Sequence, residues 1–132
     1  MTAEERAAFT GPVAVVDDDP SVRSALVRLL GSVDIRCVSH PSGSDFLSSP
    51  DLHEVDCLLL DVHMPGLSGL EVLDEIQHAA TKIPVVLMTA RYESDFAARA
   101  IEAGASAFLR KPFADGELFA AIEEATGSAV LR

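Results

Sequence analysis

Asp17, Asp18 and Asp19 stand in a row behind the apolar run Val13-Ala14-Val15-Val16, and a further aspartate, Asp61, ends the run Leu58-Leu59-Leu60. Carboxylates gathered in one place repel one another, and a hard divalent cation with oxygen ligands relieves that most simply: Mg2+ beside phosphate, or Mn2+. An acidic pocket therefore predicts a metal. A carboxylate beside a cation and a lysine stays ionised at neutral pH and can attack an activated phosphoryl group, giving an acyl phosphate. Asp61 is the residue best placed for that attack. Lys111, followed by Pro112, supplies an ammonium to neutralise the transferred oxygens, and Thr89, followed by Ala90, a hydroxyl that can donate to one of them.

These residues act together only if separate elements deliver them to one rim. Short β-branched runs alternate with helical patterns along the chain. Strands are expected at 13–16, 35–39, 55–60, 83–88 and 107–109, and helices at 20–30, 42–47, 67–79, 94–103 and 114–125. Asp19 can cap the first helix with Pro20 at its first position, and Val22, Leu26, Leu29 and Leu30 recur on one face. The third strand is apolar almost throughout, as a strand covered on both faces must be. Strict alternation requires right-handed crossovers and a parallel sheet with helices on both sides, a doubly wound α/β fold. Ligands of such sheets bind outside the carboxyl ends of the strands, where Asp17, Asp18, Asp61, Thr89 and Lys111 fall.

Composition narrows the class. The 132 residues, 48% of them hydrophobic, suit one domain with a buried core. We expect it at 12–126, after a tail over 1–11 and before the start of a linker or tail over 127–132. Acidic residues number 21 against 10 basic ones, a net charge of −11 that a phosphate backbone repels, so direct nucleic-acid binding is not expected. Cys37 and Cys57 form neither a zinc motif nor a disulfide framework and read as core thiols. No apolar run is long enough to cross a bilayer and the N-terminal stretch has no apolar leader core, so a soluble cytoplasmic protein is expected.

From about Gly11 to about Ala125 the chain resembles the receiver domains of two-component response regulators, the CheY-like superfamily. The resemblance rests on Asp17-Asp18 after an apolar strand and Leu58-Leu59-Leu60-Asp61 with Met64-Pro65 and Gly69 following. Thr89-Ala90, Gly104-Ala105 and Lys111-Pro112-Phe113 complete it in the same order. It implies a flavodoxin-like sheet of five strands in the order 2-1-3-4-5 with five helices. It also implies phosphorylation of Asp61 by a sensor histidine kinase and Mg2+ held by Asp18, Asp61 and the His63 backbone carbonyl, with Asp17 acting through water. Lys111 would pair with Asp61 or its phosphate across a cis Lys111-Pro112 bond. Thr89 and Phe108 would form a switch that alters the surface of the fourth helix, fifth strand and fifth helix. Ala97, Ala98, Ile101 and Phe108 are expected to form the apolar part of that surface, read by partners or by a second copy in a phosphorylation-dependent homodimer. His63 and Arg91, two residues beyond Asp61 and Thr89, would tune phosphate lifetime. The segment LLLDVHMPGLSGLEVL is most similar to receivers of FixJ/LuxR-type regulators, which carry a C-terminal helix-turn-helix domain.

Plainer readings compete. An Asp-rich turn with an N-cap accounts for Asp19 but not for Asp61, Thr89 and Lys111 arriving at the same rim. Phe108 fits packing in any case, and no second histidine has the spacing to make His63 a side-chain ligand. A phosphohydrolase of the haloacid dehalogenase type needs a second aspartate where His63 stands. A flavodoxin-like electron carrier needs a phosphate-cradling loop where Asp17-Asp18-Asp19 stands. A stand-alone or degenerate receiver acting as a protein-interaction module remains the alternative, although no residue of the set is missing.

Overall fold

The computed structural model describes residues 8–79, 81–91 and 95–132. The start of the fourth helix expected at Ser94, and residues 1–7 of the expected tail, lie outside the described residues. The elements follow as β1 (Val13–Val16), α1 (Pro20–Gly31), β2 (Cys37–His40), α2 (Gly43–Leu47), a short 3-10 turn (Pro50–His53), β3 (Cys57–Asp61), α3 (Gly69–His78), β4 (Val85–Thr89), α4 (Phe96–Glu102), β5 (Ala107–Arg110) and α5 (Asp115–Thr126). The five strands form one parallel sheet in the order β2-β1-β3-β4-β5, as expected.

Every position of β1, β3 and β4 is buried, because helices cover both faces. Neighbouring residues of a strand point to opposite faces, so two core layers arise. Val15, Leu59 and Met88 meet Leu26 and Leu30 of α1 and Leu118 and Ile122 of α5, whereas Val16, Leu60 and Leu87 meet Phe46, Leu73, Ile76 and Phe96 from α2, α3 and α4. Phe9 and Val130, from the segments flanking the strands and helices, are buried in the first layer.

Local chemistry sets the helix ends. The Asp19 carboxylate accepts the Ser21 N–H at 2.8 Å with Pro20 opening α1, and Ser68 and Glu71 close a capping box at α3. Gly69 cannot be anything larger without disturbance, since a Cβ there would meet the Asp61 carbonyl oxygen and lie 2.8 Å from the Val62 Cα.

Several expected boundaries shift for identifiable reasons. Ile35 is buried but is not a strand residue: Asp34 takes φ 61° and the Ile35 N–H turns back to the Leu30 carbonyl at 2.9 Å, so β2 begins at Cys37. The Val55 N–H is taken by the Asp51 carbonyl of the 3-10 turn, which the sequence reading did not anticipate, so β3 begins at Cys57. Pro84 has no N–H to offer a ladder, and β4 begins after it. Lys111-Pro112 is cis as the resemblance implied, and Gly11-Pro12 is cis as well.

Candidate functional site

Strand register creates the rim. Val16 of β1 is level with Leu60 of β3, so Asp17 and Asp61 emerge side by side, and Thr89 of β4 is level with Arg110 of β5, one residue before Lys111. Asp17 is 1% exposed, Asp61 5% and Thr89 0%, while Asp18 stands in solvent. Carboxylate oxygens of Asp17, Asp18 and Asp61 lie within 4.8 Å of one another.

Lys111 crosses this cluster. Its Nζ donates to Asp17 Oδ2 at 2.6 Å and to Asp61 Oδ1 at 3.2 Å, so its shorter contact is to Asp17, a partner that sequence reasoning did not assign. The other Asp17 oxygen accepts the Asp19 N–H at 2.9 Å, and the Asp17 carbonyl accepts from Arg23 Nη1 at 2.7 Å. Arg23 thus steadies the acidic turn from the first turn of α1. Its only signal in the sequence was a position six residues beyond Asp17.

Burial pushes the Asp61 carboxyl above the ordinary aspartate value, the Asp17 charge adds to the rise, and Lys111 opposes it. Burial also works against the Lys111 ammonium, yet the Asp17 hydrogen bond and the two carboxylate charges outweigh it and hold Lys111 above the ordinary lysine value.

Thr89 Oγ1 is engaged in a turn, donating to the Arg91 carbonyl at 2.9 Å and accepting the Arg91 N–H at 3.0 Å. His63 and Arg91 line one cavity of about 170 Å3 with Val62, Ser68 and Arg99, so these two residues come together beside the rim. Phe108 is half-buried and meets Phe96 edge-on, ring centroids 5.6 Å apart at 86°, a contact the sequence reading did not name. Ile101, 67% exposed, and Phe108 line a second cavity between α4, β5 and α5, whereas Ala97 and Ala98 are not among its lining residues.

No helix among the described residues is long and apolar enough to cross a membrane.

A family model described as the response regulator receiver domain matches residues 13–123. The transcriptional regulatory protein FixJ of Azorhizobium caulinodans is 38% identical over 116 residues, covering 88% of this chain and 55% of that protein. Nodulation protein W of Bradyrhizobium diazoefficiens is 40% identical over 114 residues, covering 86% and 50%. The chain therefore spans about half the length of these curated relatives. Among solved structures, a response regulator receiver protein from Burkholderia phymatum superposes with a TM-score of 0.78 at 39% identity, over 92% of this chain and 99% of that one.

Proposed function

The chain belongs to the response regulator receiver domain family, and from that premise we propose that it accepts a phosphoryl group on Asp61 from a sensor histidine kinase, in a reaction that requires Mg2+ or Mn2+. The observation that carries this reading is the seat of Asp61: buried at the carboxyl end of β3, 3.2 Å from the Lys111 ammonium and clustered with Asp17 and Asp18. An oxygen-only set of three carboxylates suits a hard divalent ion rather than a soft metal. Asp18, Asp61 and the His63 backbone carbonyl would hold it. Asp17, whose two oxygens already accept bonds from Asp19 and Lys111, would reach it through water. When bound, the ion supplies positive charge against the phosphoryl oxygens.

The residues then divide the work. An Asp61 carboxylate oxygen attacks phosphorus, forming a P–O bond as the P–N bond to the donor histidine breaks and the imidazole leaves. Lys111 remains beside the new dianion. Thr89 exchanges its bond to the Arg91 carbonyl for one to a phosphoryl oxygen, and Phe108 turns into the space released, changing the surface formed by α4, β5 and α5. His63 and Arg91, at the cavity beside the rim, control how readily water reaches the acyl phosphate. The chain acts as a phosphoacceptor with at most self-phosphorylation and self-dephosphorylation activity. Its altered surface engages a second copy or governs a DNA-binding output region of the LuxR type in the cytoplasm, while the acidic domain itself does not touch nucleic acid. That FixJ is a transcriptional regulatory protein supports that output.

Incubation with acetyl phosphate, with and without Mg2+, followed by intact mass measurement, tests the reading. A single added phosphoryl group that requires Mg2+ and vanishes in Asp61→Asn is expected. A folded protein that binds Mg2+ but takes no label would turn the assignment toward a constitutive interaction module.

A further inference from the structure

We propose that residues 127–132 form a strap that closes on the N-terminal segment at Phe9 and covers the apolar wedge between α1 and α5, with Glu123 as its latch. This inference is independent of the phosphoacceptor reading, because the strap lies by the amino ends of the strands, the opposite end of the sheet from the acidic rim.

The strap is built by specific contacts. Gly127 takes φ 71°, a conformation that ends α5 and turns the chain back. The Thr126 hydroxyl, anchored on the Ile122 carbonyl at 2.8 Å, accepts the Ser128 N–H at 3.2 Å and fixes that turn. Glu123 then holds two points of the strap: Oε2 accepts the Val130 N–H at 2.9 Å and Oε1 the Arg132 guanidinium at 3.1 Å. Arg132 lies over the Phe119 ring, 5.2 Å from its centroid.

The N-terminal segment completes the closure. The Phe9 N–H donates to the Ala129 carbonyl at 2.8 Å, and the Thr10 carbonyl accepts the Arg36 N–H at 3.0 Å. Phe9 is 8% exposed and Val130 5%, both within the layer formed by α1 and α5. Each segment contributes one buried apolar side chain to the same layer, and the bond from the Phe9 N–H to the Ala129 carbonyl ties one segment to the other. The two therefore open and close together, a local transition at the low-stability end of the molecule. Opening bares Phe9, Phe119 and Val130 as one apolar patch.

Residue-resolved amide hydrogen exchange on the whole 132-residue chain tests the strap, comparing wild type with Glu123→Ala and Phe9→Ala. In the wild type the amides of residues 9 and 130 should both be protected. Glu123→Ala should speed exchange at Val130 by about tenfold or more, as loss of a hydrogen bond to a charged group does. The diagnostic result is the cross-effect: the residue 9 amide, which does not touch Glu123, should accelerate with it, and Phe9→Ala should accelerate Val130, while Leu59 keeps its protection. Free-peptide exchange at residues 9 and 130 in the wild type would overturn the strap, and so would variants that each disturb only their own neighbour. Should Phe9→Ala lose protection throughout the sheet, Glu123→Ala, at a partly exposed position, decides the matter by the same cross-effect.

Discussion

Burial, then the Asp17 charge, raise the Asp61 carboxyl above its ordinary value, with Lys111 pulling the other way. In a metal-free buffer the folded chain therefore binds the Asp61 proton more tightly than the unfolded chain. Ionising Asp61 costs stability above the ordinary aspartate pKa, and that cost fades as the pH falls through the raised value. Asp61→Asn removes the ionisation at nearly constant shape. In EDTA at neutral pH it should melt above the wild type, and the gap should narrow as the pH approaches about 4; a wild type that melts higher at neutral pH would contradict the argument. Burial likewise pushes the Cys37 and Cys57 thiols up to about 12. Both should resist iodoacetamide in the native protein at mildly alkaline pH and react in denaturant, as peptide mapping would show. The residue types of the site, and their order, could be read from the sequence because each follows an apolar run. That Lys111 approaches Asp17 more closely than Asp61 could not, since it depends on tenths of an ångström between residues 94 positions apart.

Elements carry the site only where their junctions are tight. At the start of α3, Gly69 lies against the Asp61 carbonyl and the Val62 Cα, leaving no room for a methyl group. Gly69→Ala should cost about 1–3 kcal/mol in chemical denaturation, the usual range for overpacking, and should slow phosphoryl labelling because relief of the clash moves the backbone that carries Asp61. Normal stability together with unchanged labelling would show that this junction yields easily. The sequence revealed β3 and β4 clearly, because strands buried on both faces are continuously apolar. It misplaced the start of β2, because Ile35 has the side chain of a core strand residue while its N–H is spent closing α1. Periodicity reports where side chains go and is silent on where backbone donors go.

Across the whole molecule the net charge is −11, and at the rim the three carboxylates of Asp17, Asp18 and Asp61 meet the ammonium of Lys111. A divalent cation binding there should stabilise the folded chain by about 2.7 kcal/mol at a hundredfold excess over its dissociation constant. A melting temperature that climbs with Mg2+ concentration in the wild type and much less in Asp18→Asn would bear this out; equal climbs would place the ion elsewhere. A parallel sheet with helices on both faces was legible from the alternation of elements, and the order of its strands from the resemblance to receiver domains. The seating of Phe9 and Val130 was not, because a single apolar residue in a short polar segment has no period to betray its burial. The hydrogen bond from Phe9 to Ala129 brings the beginning and the end of the described chain side by side. Between those two residues the path of the backbone is thus almost a closed ring. Bridging those two segments with a short flexible link and cutting the ring at an exposed turn would yield a circular permutant with the same sheet and the same acidic rim.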